Sequence, residues 1–231
     1  MPLDLARLQA ICFDVDGTLR DTDDQYMARF AKFLQPFRFI LPGRDHQHFA
    51  RRLVMRIEAP ANWLHSIPDQ LHLDDELTAL GEWLHRRRAA AQPHEYLIIP
   101  GITGMLTALR PHYKMAVVSA RSKRGTLDFL DHYGLTPLFD CIATGQTTPR
   151  TKPRPDPVIW AAKQMGVPPE NCLMVGDTTV DIRAGKSAGA QTVGVLCGFG
   201  ERRELEKWGA TEILETTAEL AARLTGGNAP R

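Results

Sequence analysis

Cysteine is scarce in this sequence, and the spacing of the few cysteines excludes a familiar group of motifs. The chain has 231 residues and four cysteines, which are far apart and form no Cys-x-x-Cys pair. This spacing excludes a Cys-x-x-Cys redox or metal motif. Three of the four lie in or beside apolar runs, so we expect buried free thiols in a reducing compartment.

Two further absences limit the partners. The formal net charge is only +1, which predicts no strongly basic surface for nucleic acid or for a membrane. No apolar run approaches the length that spans a bilayer, and Asp4 and Arg7 precede the first apolar run, unlike in a signal peptide. We therefore expect a soluble cytoplasmic chain, a monomer or a homodimer, whose partner is a small molecule and neither a nucleic acid nor a membrane.

Two carboxylates follow the first apolar run of the chain. Ile11 to Phe13 reads as a buried strand, and Asp14 and Asp16 come directly after it, before the turn residue Gly17. Alternate residues of an extended segment point the same way, so both carboxylates can share one site. Carboxylates that close repel each other unless a cation or a proton intervenes, and Mg2+ prefers oxygen ligands of this kind. Solvated acids that cap a strand end remain an alternative reading of this pair alone.

The rest of the chain divides into two parts. Residues 20–95 show three helical patterns, interrupted by prolines, and no strand pattern of comparable quality. From residue 96 onward, apolar runs typical of strands alternate with helical patterns. This alternation predicts an α/β fold with a Rossmann-like, doubly wound parallel sheet. We assign residues 1–19 and 96–231 to this core and residues 20–95 to an inserted all-helical cap domain.

Reactive side chains follow the predicted strands at the end where sites form in such sheets. They are Asp14 and Asp16 after the first strand, Ser119 after the second, Lys152 after the third, and Asp177 after the fourth, with Asp181 one helical turn further on. Carboxylates, a hydroxyl and an ammonium that converge in this way fit phosphoryl transfer. Mg2+ and Lys152 would neutralise the phosphate, Asp14 would attack it, and Asp16 would move the proton. Ser119 and backbone N–H groups around it and the first turn, at Ala120, Gly17 and Thr18, would contact the phosphate together with Lys152.

Four short motifs resemble those of the haloacid dehalogenase-like phosphohydrolases, in the same order. They are Asp14-Val15-Asp16-Gly17-Thr18-Leu19, Val117-Val118-Ser119, Lys152 within Thr151-Lys152-Pro153, and Gly176-Asp177-Thr178-Thr179-Val180-Asp181. The resemblance covers nearly the whole chain and extends to phosphoglycolate phosphatase-like and β-phosphoglucomutase-like members. It implies Asp14 as nucleophile, Asp16 as acid and base, and a helical cap inserted after the first strand.

The resemblance also implies how the metal is held. Mg2+ would bind Asp14, the backbone carbonyl of Asp16 and Asp177, and Asp181 would act through water or from outside the first coordination sphere. The chain departs from the pattern in two places: Ala120 and Arg121 follow Ser119 where Asn is frequent, and Arg20 stands where an apolar residue is common. These departures concern the substrate and not the reaction class.

Three other functions were weighed against a small-metabolite phosphatase. A dehalogenase needs only the first aspartate, so the presence of Asp16 argues against it. A phosphomutase uses the same core and cap and stays open. A non-catalytic binding protein of the same fold also stays open, although Asp14, Lys152 and Asp177 are all present.

Overall fold

The structure is a computed structural model, and it describes residues 2–21 and 96–226. The all-helical cap domain expected for residues 20–95 lies outside the described residues, apart from Arg20 and Asp21 at its start. The α/β fold class is confirmed in the described residues, and the division into core and cap stays a prediction.

Six parallel strands form the central sheet. Their bounds are β1 Ala10–Phe13, β4 Lys114–Val118, β5 Cys141–Ala143, β6 Cys172–Gly176, β7 Gln191–Val195 and β8 Glu212–Leu214. Their order across the sheet is β5-β4-β1-β6-β7-β8. Each neighbouring pair is parallel, with Phe13 opposite Val117 of β4 on one side and opposite Val175 of β6 on the other.

The first strand occupies the position where the strand order reverses. After β1 the chain adds β4 and β5 on one side, then returns to place β6, β7 and β8 on the other. In open parallel sheets a crevice forms beyond the carboxyl ends of the strands at such a reversal, and ligands bind there. The residues directly after β1 and β6 therefore lie where a site is expected.

Alternation along the strands builds a core on each face of the sheet. In β1, Ile11 and Phe13 belong to one apolar cluster, whereas Ala10 and Cys12 belong to the other. The second cluster is rich in alanine and cysteine, which allows helices to approach the sheet closely. Gly185 shows how close: a Cβ there would lie 2.7 Å from Met174 Cβ.

Within the described residues, six helices cover the two faces of the sheet. They are α1 Ile102–Leu109, α2 Lys123–His132, α3 Asp156–Met165, α4 Thr179–Ala188, α5 Arg202–Trp208 and α6 Leu220–Leu224. Helices α1, α2 and α6 contribute to the first cluster, and α3 and α4 to the second. Local chemistry sets several of their ends: Ser122 accepts a hydrogen bond from Gly125 N at the start of α2, and Gly166 ends α3 in the left-handed conformation.

A short antiparallel ribbon was not predicted from the sequence. Strands β2, Arg20–Asp21, and β3, Leu97–Ile98, pair with Arg20 opposite Ile98 and Asp21 opposite Leu97. The ribbon brings the two ends of the 22–95 segment together beside the end of β1. Among the residues that the structure describes, no helix is long and apolar enough to cross a membrane.

Candidate active site

Asp14 continues the central strand into the crevice. Its backbone N–H donates to Val175 O at 2.9 Å, so the backbone at Asp14 is fixed by the neighbouring strand β6. The residue is only 7% exposed. Its Oδ1 atom accepts a hydrogen bond from Lys152 Nζ at 2.6 Å, and no described residue donates to Oδ2. One oxygen of this buried carboxylate is therefore held by the lysine, and the other is available to a ligand.

Lys152 bridges two carboxylates. Its ammonium, 4% exposed, lies 2.6 Å from Asp14 Oδ1 and 2.6 Å from Asp181 Oδ1. Burial lowers the pKa of this lysine, but the charges of Asp14 and Asp181 raise it by more, and the net pKa lies above the ordinary value. Lys152 is therefore a fixed positive charge in the crevice, and its role as a phosphate partner stays a prediction.

The environment of Asp14 favours a cation. Burial raises the pKa of Asp14 to about 7, although Lys152 opposes the rise. The nearby charges of Asp181 and Asp16 add to it. A divalent cation close to the carboxylate would stabilise its ionised form, the form that attacks as a nucleophile.

Asp177 lies in a space that three glycines leave open. It is fully buried, and its Oδ2 accepts from Phe199 N at 2.7 Å. A Cβ at Gly17 would lie 2.3 Å from Asp177 Oδ2, and a Cβ at Gly198 would lie 2.2 Å from it. At Gly200 a Cβ would meet Asp177 O at 1.8 Å. Only residues without a Cβ fit here, and Gly17 also has a φ of 74°.

Three buried carboxylates form a cluster that fits a hard divalent cation. One ligand oxygen from each of Asp14, Asp177 and Asp181 lies within 4.8 Å of the others. The donors are all carboxylate oxygens, as Mg2+ prefers. Both oxygens of Asp181 are engaged, because its Oδ2 accepts from Thr178 N at 3.0 Å while Lys152 donates to its Oδ1. This agrees with a role for Asp181 outside the first coordination sphere, which stays a prediction.

Asp16 faces two arginines and not the acidic cluster. Arg121 Nη1 lies 2.7 Å from Asp16 Oδ1 and 3.0 Å from Oδ2. Arg20 Nη1 lies 3.4 Å from Oδ1. Both oxygens of the Asp16 side chain are therefore engaged by arginine. Only the backbone carbonyl of Asp16 is expected to bind the metal, and this assignment stays a prediction.

The predicted phosphate contacts divide into two groups. Ser119 is 4% exposed at the end of β4, and its Oγ accepts from Arg121 N at 3.2 Å. Ala120 follows it in the same loop. By contrast, Gly17 N donates to Arg20 O at 2.8 Å and Thr18 N donates to Val15 O at 3.3 Å. The N–H groups of Gly17 and Thr18 are thus used inside the turn, and Thr18 Oγ1 lies 3.4 Å from Asp177 Oδ1. Phosphate contact by Gly17 and Thr18 stays a prediction.

Sequence reasoning missed part of the site. The segment from Cys197 to Gly200 packs around Asp177, and Cys197 Sγ donates to Gly17 O at 3.5 Å. Its signal was a Gly-Phe-Gly sequence directly after an apolar strand, a place where close backbone approach is expected. The contact of Arg121 and Arg20 with Asp16 was also missed, although both residues were noted as departures.

The chain matches the model of a known protein family. A family model described as haloacid dehalogenase-like hydrolase matches residues 11–195, which is most of the chain. The match includes β1 from Ile11 onward, β4, β6 and every residue of the acidic cluster.

Individual relatives differ in what they are named for. A phosphoglycolate phosphatase of Pseudomonas savastanoi pv. phaseolicola is 30% identical over 217 residues, covering 91% of this chain and 77% of the relative. A pyrophosphatase, PpaX, of Bacillus pumilus is 27% identical over 219 residues, covering 93% and 95%. A solved Thermotoga maritima structure assigned as a β-phosphoglucomutase superposes with a TM-score of 0.67 at 22% identity, covering 95% and 99%. At this identity, the structural likeness shows a shared fold.

Proposed function

The chain belongs to the haloacid dehalogenase-like hydrolase family and is a phosphatase, and we propose that it hydrolyses small phosphate monoesters with Mg2+ through an aspartyl phosphate on Asp14. The observation that carries the proposal is the buried contact of 2.6 Å between Lys152 Nζ and Asp14 Oδ1, in the crevice beside β1 and β6. It places a fixed positive charge against the one carboxylate that continues the central strand. A phosphate dianion meets both groups at that point.

The metal site of the proposal uses residues of the acidic cluster. Asp14 and Asp177 would hold Mg2+ by their carboxylates and Asp16 by its backbone carbonyl, with Asp181 outside the first coordination sphere. When bound, Mg2+ neutralises phosphate charge, so that an anionic nucleophile can approach an anionic substrate.

The first chemical step transfers the phosphoryl group to Asp14. A carboxylate oxygen of Asp14 attacks phosphorus, and the bond from phosphorus to the ester oxygen breaks. Asp16 gives its proton to that oxygen, so the leaving group departs as a neutral alcohol. Lys152 stabilises the charge on the transferred group. Ser119 and the N–H of Ala120 contact the same group, while Gly17 and Thr18 shape the turn that faces it.

The second step returns Asp14 to its starting form. Asp16, now a carboxylate, takes a proton from water as the water attacks phosphorus. The bond between phosphorus and the Asp14 oxygen breaks, and inorganic phosphate leaves. Asp16 ends the cycle protonated, ready to serve as acid again.

The proposed substrate is a small phosphorylated metabolite. Relatives named for phosphoglycolate and for pyrophosphate support this size class. Residues 20–95 would form a cap that closes over the crevice, excludes bulk water from the acyl phosphate and selects the leaving group. The proposal includes no nucleic-acid or membrane partner, and the protein would act as a monomer or a homodimer.

Phosphate release from an aryl phosphate tests the proposal. We expect release with Mg2+, loss of release in EDTA, recovery when Mg2+ is restored, and no turnover by Asp14→Asn. The control is Asp128→Asn, since Asp128 lies on the exposed surface of α2 and is half-exposed. Full activity of Asp14→Asn would overturn the nucleophile assignment. A panel of metabolite phosphates then identifies the substrate class.

A second assay on the same enzyme preparation distinguishes a phosphatase from a mutase and from a non-catalytic binding protein. The reaction is repeated with a hexose monophosphate and a trace of its bisphosphate. Isomerisation of the hexose phosphate without phosphate release identifies a mutase. Absence of both reactions on every compound identifies a binding protein.

A further inference from the structure

Two arginine side chains bind the carboxylate of Asp16. Arg121 Nη1 donates to both of its oxygens, at 2.7 and 3.0 Å, and Arg20 Nη1 approaches Oδ1 at 3.4 Å. The Asp16 side chain is 28% exposed, so it would have several rotamers open to it if only water surrounded it. The two guanidinium groups, one from β2 and one from the loop after β4, restrict the Asp16 side chain to one rotamer.

Arg20 is itself fixed by the ribbon. It belongs to β2, bridges to Asp16 through the backbone, and has a side chain only 8% exposed. Its guanidinium lies 5.3 Å from the centre of the Tyr96 ring, a cation–π contact. Tyr96 packs edge-on against Phe129 of α2 with ring centres 6.2 Å apart, and its carbonyl accepts from the Tyr133 hydroxyl. Arg20 is therefore held on an aromatic support that reaches into the core.

Arg121 is fixed by the loop after β4. Its N–H donates to Ser119 Oγ at 3.2 Å, and its carbonyl accepts from Gly145 N at 2.8 Å. Its guanidinium passes over Gly125, where a Cβ would lie 3.3 Å from Nη2. The absence of a side chain at Gly125 gives the guanidinium its path to Asp16.

A simple surface ion pair does not explain this arrangement. Exposed pairs form between flexible side chains and contribute little to stability. Here one cation is buried and stacked, and the backbone of the other is hydrogen-bonded on both sides. Such pre-organisation resembles the support that a reacting group needs.

We propose that Arg20 and Arg121 are positioning residues that orient Asp16 for proton transfer to the leaving oxygen. The proposal rests on the proposed function, in which Asp16 is the acid and base. Neither arginine needs to touch the substrate. Each acts by limiting where the Asp16 oxygens can be when the ester bond breaks.

The test compares two substrates whose leaving groups need the acid to different extents. Departure of p-nitrophenolate needs little protonation, whereas departure of a simple alkoxide needs a full proton transfer. The measurement is kcat/KM for p-nitrophenyl phosphate and for an alkyl phosphate, because kcat/KM reports the step in which the leaving group departs. We expect Arg121→Met and Arg20→Met to lose about 10- to 100-fold on the alkyl phosphate and only a few-fold on the aryl phosphate.

Three comparisons make the result specific. Arg20→Lys keeps a cation near Asp16 and should recover part of the loss. Arg121→Met in an Asp16→Asn background should cost nothing further, because the group it orients is gone. Arg110→Met is the matched control, since Arg110 forms a two-hydrogen-bond pair with Asp140 at 2.7 and 2.9 Å, away from the crevice.

The outcomes separate this proposal from the proposed function. An equal loss on both substrates, or a full additional loss in the Asp16→Asn background, overturns the positioning role while leaving the phosphatase proposal intact. Wild-type kcat/KM of Asp16→Asn on the alkyl phosphate overturns the acid assignment, and the positioning role with it. If Arg20→Met does not fold, Arg121→Met and Arg20→Lys decide the matter, because Arg121 is 26% exposed and Arg20→Lys keeps the charge.

Discussion

Lys152 and Asp181 form a buried ion pair with Nζ and Oδ1 2.6 Å apart, and this contact determines where the lysine charge lies. Asp181 is in turn held by helix α4, because its other oxygen accepts from Thr178 N at the helix start. Asp181, on a helix, thus fixes the ammonium of Lys152 beside Asp14, although the lysine side chain is long and flexible. If the reaction depends on the position of the Lys152 charge, it also depends on Asp181, which does not itself react.

Removal of this support should reduce both activity and stability. In Asp181→Asn, the amide oxygen can still accept from Thr178 N, but the amide NH2 then faces the buried ammonium of Lys152, which loses one of its two anionic partners. We expect kcat to fall about 10- to 100-fold, as is typical when a supporting partner of a metal or catalytic ligand is lost. Urea denaturation should show a free energy of unfolding about 1–3 kcal/mol below that of wild type, because a buried donor loses its acceptor. A variant with unchanged kcat would show that Asp14 alone positions Lys152.

Gly198→Ala should weaken metal-dependent activity by displacing Asp177. A Cβ at this position would lie 2.2 Å from Asp177 Oδ2, so the carboxylate must move. We expect the Mg2+ concentration for half-maximal activity to rise at least about tenfold, in line with changes to groups that orient metal ligands. Gly104→Ala is the control, because nothing lies within 4 Å of a Cβ there. Equal Mg2+ dependence of the two variants would mean that Asp177 tolerates the displacement.

Acid should remove the stability that Asp140 contributes. Burial raises the pKa of Asp140, but hydrogen bonds from Arg110 and from Met115 N lower it by more, so the folded-state pKa lies below the unfolded value. Stability from this group is therefore present above the unfolded pKa, which is about 3.9, and is lost as pH falls through the folded pKa. Asp140→Asn should lower the free energy of unfolding at pH 7, by about 1 kcal/mol because the pair is partly exposed.

The check on Asp140 is urea denaturation at several pH values. The difference between wild type and Asp140→Asn should shrink steadily below pH 4. Asp128→Asn serves for comparison, because its partner Arg124 is 71% exposed and 3.7 Å away, and it should stay near wild type throughout. A difference for Asp140→Asn that is the same at pH 7 and pH 3 would contradict the electrostatic explanation.

The sequence predicted the α/β core and the residues that converge in it because both follow from short-range patterns. Apolar runs marked the strands, and α3 begins at Asp156 and ends at Met165, as the helical pattern and Gly166 indicate. The rule that sites form at the ends of parallel strands, together with helical spacing for Asp181, placed Asp14, Lys152, Asp177 and Asp181 together. In the structure one oxygen of each carboxylate lies within 4.8 Å of the others, and Lys152 contacts Asp14 and Asp181.

The parts that the sequence did not predict depend on contacts between distant segments. The β2–β3 ribbon has only two residues in each strand, too few for any periodicity to appear. The use of Gly17 N and Thr18 N inside their own turn depends on turn geometry that the residue types alone leave open. The hydrogen bond between Arg121 and Asp16 joins residues 105 positions apart, and the sequence around an arginine does not indicate which distant carboxylate it will bind.

The central place of β1 also has a consequence for the order of assembly. Both of its hydrogen-bonded neighbours in the sheet, β4 and β6, begin after residue 113, so β1 gains neither of these neighbours until that part of the chain has been made. The first strand emerges from the ribosome first and must wait for Lys114–Val118 before it gains a neighbour. Pairing over such a separation is slow, and an apolar strand that waits unpaired invites association with other chains. We expect nascent chains that stop before β4 to require a chaperone.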